Sequence, residues 1–178
     1  MECEMKGVID MKCYNDIESR VDNAMNQATA ALNEAKKAAI EFDKVNERYI
    51  RLRTRAESGR MTMVYKQDKL GTKVQSSGRG GNGDDLLIEI VELSKMTDVQ
   101  RALLLLARER VRNLIEECCG KGTREAIALM ARHISFPAIP FGDIPRKYPD
   151  KFQTKNQANA AYRKGIIKVS QHFLDDAA

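Results

Sequence analysis

The feature that most constrains the fold is a long repeat of small and apolar residues in the first third of the chain. Neither proline nor glycine interrupts the segment from Ile17 to Ala56. This heptad spacing predicts one helix of about 40 residues, and its apolar stripe needs a partner helix to cover it. The repeated positions alternate in steps of four and three: Ile17, Val21, Ala24, Ala28, Ala31, Ala35, Ala38, Phe42, Val45, Tyr49, Leu52 and Ala56.

A second stripe with the same spacing follows Asp84 and Asp85, two acids well placed at the start of a helix. Gly120 marks its expected end, because glycine commonly follows the last helical turn. Polar residues at Thr97 and Asp98 leave open a split into two helices, with the second capped there. The apolar positions are Leu86, Ile90, Leu93, Leu104, Ala107, Val111, Leu114 and Cys118.

The two stripes are nearly equal in length, so the simplest way to cover both is an antiparallel helical hairpin. Such a coiled coil can stand alone or be doubled in a homodimer through the heptad seam. Aromatic residues make up only 6% of the chain and tryptophan is absent, which argues against a large sheet core. The predicted fold class is therefore all-α.

Composition divides the chain into three expected parts. Residues 1–14 form an N-terminal tail, residues 15–119 form the hairpin, and residues 120–178 form a small C-terminal helix-turn-helix domain. Within the hairpin, residues 58–83 are predicted to be a flexible, Gly-rich loop. That loop is basic, with five Lys and Arg against one Asp, and residues 120–178 carry ten against five Asp and Glu.

Several function classes are not supported by the sequence. No apolar run approaches the ~20 residues that cross a bilayer, and the N-terminus lacks the pattern of a secretion signal, so we expect a cytoplasmic protein without membrane contact. The four cysteines form no C-x-x-C pair, and His133 and His172 show no ligand spacing. We therefore expect no metal site and no cofactor, and the absence of a nucleophile, base and orienting group predicts that the protein is not an enzyme.

The C-terminal part carries the most specific pattern. Thr123 is placed to cap a short helix, and a proline-rich stretch from Phe136 to Pro149 then breaks the chain. Asp143 is placed to cap a second helix of two turns. Thr154 is placed to cap a third, from Lys155 to about Leu174. The predicted arrangement is helix, turn, helix.

In a helix-turn-helix module the start of the second helix meets base edges in the major groove of DNA. Amide side chains there can pair bidentately with adenine, and cations further along can bind phosphates. No acidic residue occurs from Lys151 through Phe173. The alternative interpretation is a solvated amphipathic helix that closes a small bundle. The predicted DNA-binding residues are Thr154, Lys155, Asn156, Gln157, Asn159, Tyr162, Arg163, Lys164 and Lys168.

The layout of roughly residues 35–175 resembles that of phage-encoded transcriptional regulators of the ArpU and RinA type. The matching pieces are the Arg-rich segment 51–58, the loop segment 79–86, the second long helix and the terminal helix from Thr154 to Phe173. Thr154 and the run Tyr162, Arg163 and Lys164 resemble the recognition helix of that family. The proline-rich segment 136–149 departs from it, because the family's first module helix is acidic and free of proline.

The resemblance implies a sigma region-four-like tail and activation of late phage or mobile-element genes by promoter binding. Double-stranded DNA is then the expected partner, and RNA polymerase is a candidate second partner. The competing hypothesis is a coiled-coil adaptor or scaffold that binds another protein without DNA. These two functions differ in the salt dependence of duplex binding.

Overall fold

The computed structural model describes the backbone of residues 11–70 and 82–175 and the side chains of residues 17–58 and 87–175. Within these ranges every regular element is a helix, so the fold class is all-α as predicted. None of the described helices is long and apolar enough to span a membrane. The six helices are α1 (Met11–Leu32), α2 (Glu34–Leu70), α3 (Asn82–Cys119), α4 (Arg124–His133), α5 (Ile144–Lys147) and α6 (Lys155–Asp175).

The first heptad segment forms two helices rather than one. The interruption falls at Asn33, whose residue type competes with helical hydrogen bonding. The helix also begins earlier than expected, at Met11, within the predicted tail 1–14; residues 1–10 of that tail lie outside the described residues. The prediction of a single rod from Ile17 to Ala56 is therefore corrected at its middle and at both ends.

The predicted loop 58–83 is shorter than expected. Helix α2 continues to Leu70 and α3 begins at Asn82, which leaves only residues 71–81 between them, outside the described residues. Helix α3 runs unbroken to Cys119, so the alternative of two helices does not hold. At the suspected break, the buried Thr97 hydroxyl donates to the Leu93 carbonyl of the same helix, 2.8 Å away.

The chain divides into two compact units with a boundary different from the one expected. One unit comprises residues 1–36 and 108–178, and the other comprises residues 37–107. The first helix and the end of α3 thus belong with the C-terminal helices, whereas the sequence suggested a boundary at residue 120. The reason is that α6 packs against α1 as well as against α4 and α5.

In the first unit, α6 lies against α4 through small residues that permit a close approach. A Cβ atom added at Gly165 would lie 2.8 Å from Cδ1 of Leu129, whose side chain is fully buried. A neighbouring core cluster fills the space between α4, α5 and α6. Its buried members are Ala128, Ala131, Ile144, Phe152, Ala158 and Ala161.

The helix ends of the first unit largely lie at the glycine and capping residues predicted from the sequence. Gly120 ends α3 with a φ of 83°, in the left-handed region that glycine adopts readily. The Thr123 hydroxyl accepts a hydrogen bond from the Ala126 amide and so caps α4, as expected. Helix α5 is only one turn long, whereas two turns were predicted, and Asp143 makes no side-chain cap there.

In the second unit, the predicted heptad positions of α2 from Phe42 to Ala56 are half-buried, but so are Asp43 and Asn46 between them, and Ala39 is more buried than the heptad position Ala38. Tyr49 and Leu52 each lie between two exposed neighbours. On α3, Leu93 and Leu104 are buried on one side of the helix. An ion pair of 2.7 Å joins Arg48 of α2 to Glu89 of α3, so the two helices are neighbours there.

Candidate nucleic-acid interface

The first turn of α6 is held by a reciprocal pair of side chains. The Thr154 hydroxyl accepts from the Gln157 amide at 3.3 Å, and the Gln157 side-chain carbonyl accepts from the Gln153 amide at 2.8 Å. This is a close relative of the capping box, in which a Thr and a Gln three residues apart satisfy free amides. Two of the predicted base-contacting residues therefore also fix the start of the helix.

One side of α6, which we name the α6 outer face, is open to solvent. It consists of Asn156, Arg163, Lys164, Ile167 and Lys168, all exposed. A helix advances 100° per residue, so these positions fall within one half of its circumference. Ala160 lies among them and leaves the backbone accessible. The structure thus brings together on one face one of the three predicted amides and three of the four predicted cations.

The α6 outer face has a positive electrostatic character. Among the described residues, none of Arg163, Lys164 and Lys168 forms an ion pair with an acidic side chain. Lys155, in the first turn, is likewise exposed and unpaired within that part of the chain. Uncompensated cations on one helix face are suited to phosphate groups, which attract them without regard to sequence.

Tyr162, another predicted DNA-contacting residue, is half-buried and lies on the opposite side of α6 from the outer face. Its hydroxyl shares a hydrogen bond of 3.2 Å with Nε2 of His133, and the two rings are stacked. Phe141 meets Tyr162 edge-on, with ring centroids 5.2 Å apart. Burial raises the pKa of Tyr162, and the nearby Arg132 opposes that shift. Tyr162 therefore holds α6 against the rest of its unit.

Helix α1 borders the outer face on one side. An open groove of about 420 Å³ lies between α1 and α6, and Arg163 and Ile167 line it together with Met25 and Thr29. Asn159, another predicted contact residue, is half-buried. Within the outer face, Asn156, Lys164 and Lys168 are exposed and do not line this groove.

The buried Cys119 connects the end of α3 to the interior side of α6. Its thiol donates a weak hydrogen bond to the Gly165 carbonyl, with sulfur and oxygen 3.9 Å apart. Burial raises the pKa of this thiol; Lys168 acts in the opposite direction and Glu125 in the same one. Among the described side chains, no group of three or more His, Cys, Asp or Glu residues could hold a metal ion.

Two positioning features of α6 were not predicted from the sequence. The capping pair was detectable, because Thr154 and Gln157 have the spacing of a capping box. The contact between His133 and Tyr162 was not, because residues 29 positions apart meet only when α4 packs on α6. Comparisons with protein-family models, with curated protein sequences and with solved structures found no match to this chain.

Proposed function

We propose that this chain is a sequence-specific DNA-binding transcriptional regulator that inserts α6 into the major groove. The observation that carries the proposal is the α6 outer face, on which an amide and three cations are exposed without acidic partners among the described residues. A major groove about 12 Å wide accepts one α-helix, and its base edges and bordering phosphates require this combination of groups.

The exposed amides and cations of α6, on and beside the outer face, each have a proposed role. Asn156 pairs with an adenine edge, and Lys155 reaches a guanine edge or a phosphate in the same turn. Gln157 contributes only its amide nitrogen as a donor, because its carbonyl oxygen is committed to the Gln153 amide. Lys164 and Lys168 bind phosphates and fix the register of the helix, and Arg163 does so at the edge next to α1.

The rest of the chain supports this role in the proposal. Helices α4, α5 and α6 form the helix-turn-helix domain, with the one-turn α5 between α4 and the recognition helix α6. Helices α2 and α3 form an antiparallel hairpin, which the ion pair between Arg48 and Glu89 favours. By the resemblance stated above, the regulator activates phage or mobile-element genes in the cytoplasm, with RNA polymerase as a candidate partner.

The test is a binding titration with labelled duplex DNA over a series of salt concentrations. A random duplex library is first enriched on the full chain, and the enriched duplex is compared with a scrambled one. With three or four phosphate contacts, the slope of log affinity against log salt is expected to be about −2.7 to −3.6. Equal affinity for enriched and scrambled duplexes, or no saturable binding at physiological salt, would overturn the proposal.

A second candidate function is a coiled-coil adaptor that binds another protein. Exposed apolar side chains on α1 and α3 favour it, among them Ile17 at 61% and Val99 at 58% exposure. Large exposed apolar patches commonly mark protein interaction sites. The same salt series separates the two functions, because an adaptor gives only weak, non-saturating binding to duplex DNA.

A further inference from the structure

Helix α3 presents an apolar face on the side away from its buried stripe. Leu93 and Thr97 are 5% exposed and mark the buried side of the second unit. Ile88 and Val99 lie at least 120° around the helix from Leu93, and each is more than half exposed. Val91 and Met96 flank them and are similarly exposed. We name the surface formed by Ile88, Val91, Met96 and Val99 the α3 apolar face.

Two opposite charges lie within this face. Glu92 and Lys95 are three residues apart, both exposed, and neither forms an ion pair with a described side chain. A surface with a positive and a negative side chain next to each other is electrostatically complementary to a second copy of itself rotated by 180°. A second copy in the reverse direction places each Glu92 opposite the Lys95 of the other.

The same reversal also matches the apolar residues. A two-fold axis between positions 93 and 94 relates 92 to 95, 91 to 96 and 88 to 99. Val91 of one copy then meets Met96 of the other, and Ile88 meets Val99. In an isologous contact every such pair occurs twice, as closed two-fold symmetry requires. The same two-fold axis therefore pairs the charged residues and the apolar residues, so both favour one register of the two α3 helices.

The area of the face fits a dimer of moderate strength. Four side chains that are 51–58% exposed offer about 100 Å² each, or about 800 Å² of apolar surface from two copies. Homodimer interfaces are about 65% apolar, so the whole contact is expected to bury about 1,200 Å². That is the lower end of the range for specific interfaces.

We propose that the α3 apolar face is the contact surface of a symmetric antiparallel homodimer, in which Glu92 pairs with Lys95 of the second copy. This dimer uses the outer side of α3, not the heptad seam. It does not depend on DNA binding, and its test contains no DNA.

The test measures the mass of the full chain by sedimentation equilibrium from about 1 to about 200 µM, a range that brackets a micromolar dissociation constant. The wild-type protein is expected to pass from monomer to dimer within it. Val99→Glu should weaken the dimer at least about tenfold, because it buries a charge beside an apolar partner. Glu109→Lys, on the same helix but outside the face, should leave the dimer unchanged.

A charge exchange tests the register. Glu92→Lys and Lys95→Glu should each weaken the dimer about tenfold, since each places like charges opposite one another, and the double variant should recover it. Circular dichroism melting confirms that each variant is folded. A wild-type chain that stays monomeric, or a Val99→Glu chain that dimerises like the wild type, would overturn the proposal. Failure of the double variant to recover would overturn the register.

Discussion

Nε2 of His133 lies 3.2 Å from the hydroxyl oxygen of Tyr162, and their rings stack with 12° between the planes. This contact joins α4 to α6 on the side opposite the α6 outer face. Burial lowers the pKa of His133 to about 4, and the charges of Arg132 and Lys36 act in the same direction. The nearby Leu32 backbone opposes the shift, although Nδ1 of His133 is buried without a hydrogen-bond partner among the described residues. The packing therefore requires a neutral imidazole.

Stability should fall as the pH drops through the window between the two pKa values of His133. The unfolded chain takes up the proton near 6.5, whereas the folded chain takes it up only near 4, so the unfolded state binds more protons in between. We expect the free energy of unfolding to be about 2 kcal/mol lower at pH 5 than at pH 7.5 from this group alone. Urea unfolding at both pH values measures the difference.

The matched variant is His133→Gln, which cannot take up a proton and keeps a polar group for the Tyr162 hydroxyl. It is expected to lose about 2 kcal/mol less than the wild type between pH 7.5 and pH 5. Protonation of carboxylates changes the free energy of unfolding of the wild type and of His133→Gln equally, so it cancels in the difference between them. Parallel pH profiles for the two proteins would show that His133 is not buried in the neutral form.

Gly165→Ala should destabilise the first unit although alanine favours helix. The added Cβ lies 2.8 Å from Cδ1 and 3.0 Å from Cγ of Leu129, so this fully buried side chain has to shift within a packed core. Overpacking of this kind costs about 1–3 kcal/mol, which exceeds the gain in helix propensity of about 1 kcal/mol. Thermal unfolding of the wild type, Gly165→Ala, Leu129→Ala and the double variant gives a double-mutant cycle of stabilities. We expect the double variant to lose less stability than the sum of the single losses; simple additivity would contradict the close approach.

The capping pair of Thr154 and Gln157 predicts which substitutions change stability. At Gln157 it also predicts a substitution that lowers DNA affinity without lowering stability. Thr154→Ala should cost about 1 kcal/mol of stability, and Thr154→Ser should cost almost nothing, because serine keeps the accepting oxygen. Gln157→Glu keeps the oxygen that accepts from Gln153 and should preserve the melting temperature. It also places a negative charge beside the proposed DNA, so duplex affinity should fall. A large loss of stability in Gln157→Glu would argue against the reciprocal cap.

The proposed roles on α6 predict two distinct effects on DNA binding. Asn156→Ala should weaken binding to the enriched duplex by about 1–3 kcal/mol and leave scrambled DNA nearly unaffected. Lys164→Ala should weaken binding to both duplexes alike and reduce the salt slope by about 1. Gln157→Ala is also expected to weaken specific binding, with part of its effect through the lost cap. Equal effects of Asn156→Ala and Lys164→Ala on scrambled DNA would count against base reading.

Sequence periodicity predicted the helical elements well where the physical cause is local. The four-and-three spacing predicted helix through most of α1 and α3 and much of α2, although not the division at Asn33 or the continuation to Leu70, and Gly120 and Thr123 located the end of α3 and the start of α4. Thr154 was likewise placed correctly at the start of α6. Each of these features depends on side chains a few residues apart, whose interactions are readable from the order of the chain.

The partner of α1 could not be predicted in the same way. The heptad pattern runs through Asn33 without a break, so the sequence alone suggested one rod facing one partner. In the structure α1 packs on α6, more than 120 residues away, and belongs with the C-terminal helices. An apolar stripe indicates that a helix face will be covered but contains no information about which helix covers it.

The amino-acid order alone thus determined that the chain is helical, where α3 ends and where α4 and α6 begin, and that the stretch from Lys151 through Phe173 carries amides and cations without acids. Only the tertiary structure decided which of those groups face solvent. Packing against α4 turned Tyr162 inward, and packing against α1 placed Arg163 at the edge of a groove. The physical reason is that a helix fixes the angular positions of its side chains relative to one another, whereas long-range packing fixes which side is buried.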